Sequence, residues 1–201
     1  MTQPVTAIIL AGGDSSRMAV PKAFLKVGGI SMIGRVISAM GEVFEETLIV
    51  AGDQEAYRGL GPRVVPDSQR FRDIRGPMTG LFSGLSEAKN QYSFVVGCDM
   101  PFVAPALVGW IARQRDGHDV VVPVIGGYTE PLFGIYSKAV LPVLERALTS
   151  GLRSLHEIFR ELNVLYVTEE TMRPFDPHLR SFINVNTPAD LAFAEGLADG
   201  V

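Results

Sequence analysis

Residues 7–22 read AIILAGGDSSRMAVPK. Ala7-Ile8-Ile9-Leu10 is an apolar run of strand length with no polar alternation, the pattern of a strand covered on both faces. Two glycines follow at once, then small polar residues, Arg17 and Lys22. In an open parallel sheet, ligands bind beyond the carboxyl ends of the strands, where this segment falls. Gly12 and Gly13 let backbone N–H groups approach an anion with no Cβ in the way. Arg17 offers a planar fork for phosphate oxygens and Lys22 a compact charge. The stretch therefore reads as a strand running into an anion-binding turn, suited to a polyphosphate. The bland alternative is a glycine-rich turn with solvated charges. Neither GxxxxGK[ST] nor GxGxxG is present here, so the turn is not a P-loop and not a dinucleotide fingerprint.

Similar apolar runs recur at 48–50, 64–65, 94–96 and 120–122. Helical periodicity lies between them, at 31–40, 78–88 and 104–113. Strand–helix–strand alternation predicts an α/β fold, a three-layer helix–sheet–helix sandwich around a mostly parallel, Rossmann-like sheet. After Pro123 the rhythm changes. Gly126-Gly127 reads as a tight turn before a strand at 131–136, which predicts a local antiparallel element. Helical stretches at 139–148 and 154–162, a strand at 164–167 and a last helix from Pro188 complete the chain. No repeat or long linker divides it. The expectation is one domain over 1–201, with a nucleotide-binding half at 1–123 and a substrate-specificity half at 124–201.

The 201 residues are 47% hydrophobic, enough for a core of their own. A net charge of −4 argues against general binding to nucleic acid or to an anionic membrane. With a single cysteine, Cys98, neither an internal disulfide nor a cysteine zinc cluster can form. There is no signal-peptide pattern and no apolar run of about 18 residues. A soluble cytoplasmic protein is expected.

The run Ser93 to Gly97 leads through Cys98 to Asp99, placing a carboxylate at the same sheet edge as the glycine turn. A carboxylate beside a polyphosphate suits Mg²⁺, a hard ion that uses one or two carboxylates plus phosphate oxygens. Asp67 takes a comparable place after Val64-Val65-Pro66. Either aspartate alone reads as a cap or turn residue; together, near a cationic turn, they favour a metal–nucleotide site. Between them, Arg70, Arg72 and Arg75 form either a basic loop over an anionic substrate or a solvated surface.

Taken together, these motifs resemble the nucleotidyltransferase superfamily, and within it the molybdenum cofactor guanylyltransferases. The resemblance spans nearly the whole chain: LAGG-x-S-x-RM at 10–18, Lys22, PDS at 66–68, GPMTGL at 76–81 and GCDMPF at 97–102. It continues with EPLFGIY at 130–136, GLRSL at 151–155 and NVNTPAD at 184–190. It implies transfer of GMP from GTP to molybdopterin, with Mg²⁺ and release of pyrophosphate. It also implies molybdenum-cofactor biosynthesis proteins as partners. By position, Leu10, Ala11, Gly12 and Gly13 match the nucleotide-binding turn and Lys22 the phosphate-binding lysine. Asp67 matches a nucleotide contact and Asp99 the nucleotide and Mg²⁺ ligand. Asn184 and Asn186 match polar positions near the pterin end. Arg17, Lys22 and Asp99 are the expected catalytic set.

The chain departs from the family's R-M-G-x-D-K run at Ala19 and Pro21. Ala19 disfavours positive φ, and Pro21 removes a backbone donor and an acid beside Lys22. Two alternatives stay open: a cytidylyl or other nucleotidyl transfer to a pterin, sugar or alditol phosphate, and a nucleotide-binding regulator without catalysis. Thr187-Pro188-Ala189-Asp190 reads as a helix start. His118, His156 and His178 lack metal-ligand spacing and read as surface or packing residues. Cys98 reads as an inert buried thiol, and Trp110 as core.

Overall fold

The computed structural model describes residues 3–12, 21–71, 73–74 and 76–199. Gly13, Arg17 and Ala19 of the glycine turn, and Arg72 and Arg75 of the basic loop, lie outside the described residues. In chain order the strands and α-helices are β1 Gln3–Leu10, β2 Lys26–Val27, β3 Ile30–Ser31, α1 Met32–Gly41, β4 Phe44–Val50, α2 Gln54–Tyr57, β5 Arg63–Val65, α3 Pro77–Glu87 and β6 Tyr92–Gly97. They continue with α4 Pro105–Arg113, β7 Val120–Ile125, β8 Tyr128–Thr129, β9 Phe133–Ser137, α5 Leu141–Thr149, α6 Leu155–Ile158, β10 Val164–Thr168, α7 Glu169–Met172 and α8 Pro188–Asp199.

The main sheet runs β10-β7-β9-β6-β1-β4-β5, with β8 paired to β7. β1 lies parallel between β4 and β6, β5 extends the parallel set, and β10 is parallel to β7. β9 is antiparallel to both β6 and β7, and β8 is antiparallel to β7. The local antiparallel element is therefore a strand wedged into the sheet, not an edge hairpin alone. Gly126 and Gly127 make the β7–β8 turn with φ of 58° and 86°, values that glycine adopts without strain.

β1 shows why the sheet is covered on both faces. Val5, Ala7 and Ile9 enter one buried cluster with α1 and α4, while Ile8 and Leu10 enter a second with α3 and α5. Side chains alternate across a strand, so an uninterrupted apolar run must feed two cores. α3 presses especially close. A Cβ at Gly84 would lie 2.6 Å from Ile8 Cγ2 and 3.2 Å from Val50 Cγ2. A third, small cluster joins Val27 and Met32 to Val185 and Ala194, seating α8 against the β2–β3 hairpin.

No helix among the described residues is long and apolar enough to cross a membrane. Trp110 stacks on Phe175 with centroids 5.2 Å apart, beside the first cluster, as a packing residue.

Candidate active site

The carboxyl ends of β1, β4 and β6 are pinned side by side beyond the strands. Ala11 N–H donates to the Val50 carbonyl at 2.9 Å, and Cys98 N–H to the Leu10 carbonyl at 3.1 Å. This brings Leu10, Ala11 and Gly12 to the same edge as Asp99. Among the described residues a Cβ on Gly12 would meet nothing within 4 Å. The Ala11 carbonyl accepts a hydrogen bond from Tyr57 Oη at 3.1 Å. Burial pushes the Tyr57 phenol up to about 12, so it stays a donor. Sequence reasoning missed Tyr57: α2 has four residues, too few to show a period.

Lys22 opens a 3₁₀ turn that buries Ala23 and lays Phe24 against Tyr57, centroids 5.2 Å apart. Pro21 sits immediately before it with φ −54° and ψ 132°. That φ is within the range a proline ring imposes, and the Pro21 carbonyl accepts from Phe24 N–H at 2.9 Å. The proline thus fits the backbone it occupies.

Lys22 Nζ lies 3.0 Å from Asp99 Oδ2 and donates to Asn186 Oδ1 at 2.6 Å. Three distant segments meet at one ammonium. The third is fixed to the second by backbone, since Val185 N–H donates to the Asp99 carbonyl at 2.9 Å. The carboxylate folds back over the end of β6, where a Cβ on Gly97 would come within 2.5 Å of Asp99 Oδ1. Any larger residue at 97 would force the carboxylate away.

Asp67 follows β5 on the same sheet edge. β1 and β4 lie between its strand and β6, and its carboxylate reaches towards Gly52 at the end of β4. Among the described residues no hydrogen bond or ion pair reaches the Asp67 carboxylate, and burial raises its pKa. Arg70 is not part of this edge; it pairs with Glu145 of α5 and lies over the Phe71 ring.

A cleft of about 370 Å³ opens beside Asp99, walled by Pro77, Glu130, Arg153, His156 and Asn184. The antiparallel course of β9 creates it, carrying Glu130 alongside the end of β6. Asn184 is at this wall and Asn186 at the lysine, so the two asparagines face different parts of the site. Glu130 is half-buried; burial raises its pKa, while nearby His156 lowers it. His156, expected at the surface or in packing, is exposed and lies against the Phe159 ring, and it also lines the cleft. Glu130 and Arg153 stood inside the quoted EPLFGIY and GLRSL motifs, and that was their only sequence signal. Cys98 has its thiol pushed up to about 12 by burial and by Asp99, as an inert thiol requires.

Among the described residues no three Asp, Glu, His or Cys side chains cluster as a metal cage. Asp99 offers a single carboxylate at the mouth of a cleft, the donor set that suits a hard divalent cation completed by phosphate oxygens and water.

The model for the MobA-like NTP transferase domain matches residues 7–165, which fixes the class: this is a nucleotidyltransferase. The particular family follows from nearer relatives. A probable molybdenum cofactor guanylyltransferase of Pelotomaculum thermopropionicum is 40% identical over 194 residues, 96% of this chain and 93% of the relative. The molybdenum cofactor guanylyltransferase of Desulfosudis oleivorans is 37% identical, covering 95% of this chain and 94% of the relative. The chain belongs to the molybdenum cofactor guanylyltransferase family. In structure it is similar to molybdopterin-guanine dinucleotide biosynthesis protein A of Archaeoglobus fulgidus, with TM-score 0.84, 28% identity and 98% and 100% of the two chains covered. The 2-C-methyl-D-erythritol 4-phosphate cytidylyltransferase of Thermus thermophilus, at 22% identity and TM-score 0.72, shares the fold over 99% and 100% of the chains.

Proposed function

We propose that this protein transfers the GMP part of GTP to molybdopterin, forming the guanine dinucleotide form of the cofactor and releasing pyrophosphate. The observation that carries the reading is the Lys22 ammonium, held between Asn186 and Asp99, which itself lines the cleft. In this reading a terminal phosphate oxygen of the acceptor attacks the α-phosphorus of GTP. One P–O bond forms, and the bond to the β-phosphate bridging oxygen breaks. The attacking phosphate is already anionic at neutral pH, so no general base is needed. Catalysis is positioning and charge neutralisation.

Leu10, Ala11, Gly12 and Gly13 would cradle the nucleotide, with Arg17 and Lys22 balancing phosphate charge. Asp67, far along the same edge, would contact the nucleoside end. Asp99 would hold the cation, for which Mg²⁺ is the choice; when bound, that ion screens the charge that builds on the phosphates. Arg153, His156 and Asn184 would receive the anionic acceptor, which assigns the acceptor to residues of the 124–201 half. Asn186 would join the two halves. Molybdenum-cofactor biosynthesis proteins are the partners this role implies, within the cytoplasm. Pro21 gives no support to a catalytically dead regulator, because its backbone conformation is one proline favours.

The test is pyrophosphate release from Mg²⁺-GTP with and without molybdopterin. The proposal requires release that depends on molybdopterin. Release driven instead by a sugar or alditol phosphate would overturn the acceptor assignment.

A further inference from the structure

Lys22 has two acceptors, and one of them has a second claimant. Asp99 Oδ2 lies 3.0 Å from Lys22 Nζ, yet the same carboxylate is the group proposed for the cation. Asn186 Oδ1, at 2.6 Å, is neutral and carries no such second duty. When Asp99 turns to a cation, the amide oxygen of Asn186 is what remains to aim the ammonium.

Asn186 is itself exposed, so its place depends on what holds its backbone. Asp190 Oδ2 accepts from Asn186 N–H at 2.9 Å and from Thr187 N–H at 2.7 Å, while Asp190 N–H donates to Thr187 Oγ1 at 3.2 Å. A capping box needs only the reciprocal bonds between the N-cap, Thr187, and the N3 residue, Asp190. The bond to Asn186 lies outside that motif: the carboxylate reaches one residue beyond the cap and fixes the residue that touches Lys22. The Asp190 carboxyl is held below the usual carboxylate range, first by the Asn186 N–H and then by Thr187, with Lys22 adding to the same effect.

We propose that Asp190 is a positioning residue for Lys22: through Asn186 it fixes the amide oxygen that keeps the ammonium aimed at nucleotide phosphates. The inference rests on the reading of Lys22 as a phosphate ligand. It adds a structural chain from the C-terminal helix to the nucleotide, Asp190 to Asn186 to Lys22. The third cluster seats that helix through Val185 and Ala194, so the chain starts from a fixed base.

The test is equilibrium binding of GTP, read by titration with and without Mg²⁺, alongside thermal unfolding of each variant. Asp190→Ala should weaken GTP binding about tenfold, the scale on which supporting residues act on a ligand site. Thr187→Ala removes the other half of the cap but leaves the bond to Asn186. It should lower Tm and leave GTP affinity unchanged. In a Lys22→Ala background, Asp190→Ala should cost no further affinity, because its effect passes through the missing ammonium. Equal losses from Asp190→Ala and Thr187→Ala, or an undiminished loss in the Lys22→Ala background, would overturn the proposal and leave a helix cap. Should Asp190→Ala not fold, Asn186→Ala decides, since it keeps the backbone bond to Asp190 and deletes only the oxygen. It should lose affinity at near wild-type Tm, and unchanged affinity would sink the chain of contacts. If Lys22→Ala alone binds GTP as tightly as wild type, the role given to Lys22 is what fails.

Discussion

Lys22 and Asp99, 77 positions apart in the chain, meet at 3.0 Å across the carboxyl ends of β1 and β6. Both side chains keep some exposure, 20% and 29%. A fully sealed ion pair would be a structural tie; this one is open to exchange with a ligand. Phosphates can take the ammonium and a cation the carboxylate, each charge trading one partner for another with little net desolvation.

Lys22→Ala should cost about 10²–10³-fold in turnover, the scale of losing one charge-stabilising donor at a reacting centre. Lys22→Arg should not restore it in full, because a longer side chain ending in a planar, delocalised guanidinium cannot put its charge where the compact ammonium sits. Steady-state pyrophosphate release measures both. Near wild-type rates in Lys22→Ala would remove the lysine from the mechanism.

Asp67 should trade stability against binding. Its carboxyl pKa is raised in the fold by burial with no compensating partner among the described residues. The folded state therefore binds its proton more tightly than the unfolded state does. The resulting penalty is complete above the folded pKa and vanishes below the unfolded one. Asp67→Asn should raise Tm at neutral pH, show no such gain once pH falls below the ordinary carboxylate range, and weaken nucleotide binding. Thermal scans across pH check the first two, and GTP titration the third. A lower Tm at neutral pH would contradict the sign.

Gly84→Ala should destabilise the fold by about 1–3 kcal/mol, the cost of overpacking a tight contact. The added Cβ would stand 2.6 Å from Ile8 Cγ2, forcing α3 off the sheet. Urea unfolding measures it. Exposed Gly41, with nothing within 4 Å, is the comparison: Gly41→Ala should not destabilise by overpacking.

Cys98 should resist alkylation at neutral pH, since its thiol is pushed up to about 12 and the thiolate is the reactive form. Iodoacetamide labelling followed by mass spectrometry should show the native protein unmodified and the unfolded protein modified. Rapid labelling of the native protein would contradict the inert role.

The sequence pattern made much of this legible, for local reasons. Strands buried on both faces write themselves as unbroken apolar runs, so β1, β4, β6 and β7 stood out. Asp99 stood out because a charged residue just past such a run belongs at the sheet's working edge, and Lys22 because it follows the glycine turn at the end of β1. Asp190 was readable as a cap, since Thr-Pro-Ala-Asp is a local signal, but not as a support for Lys22, which depends on a contact spanning 164 positions. The cleft wall was hidden for a related reason. Glu130, Arg153 and His156 converge only because β9 inserts between β6 and β7, and no short-range periodicity encodes that placement. The hairpin of β2 and β3 has two residues per strand, too few to show alternation. Tyr57 was missed on the same ground.

The central claim is that guanylyl, from GTP, is the group transferred to molybdopterin. Its most direct test is a competition: the purified protein, Mg²⁺ and molybdopterin with equal GTP and CTP, and the dinucleotide product identified by mass. The account predicts the guanine dinucleotide as the dominant product, with one pyrophosphate released per product formed. A cytosine dinucleotide as the dominant product would contradict it.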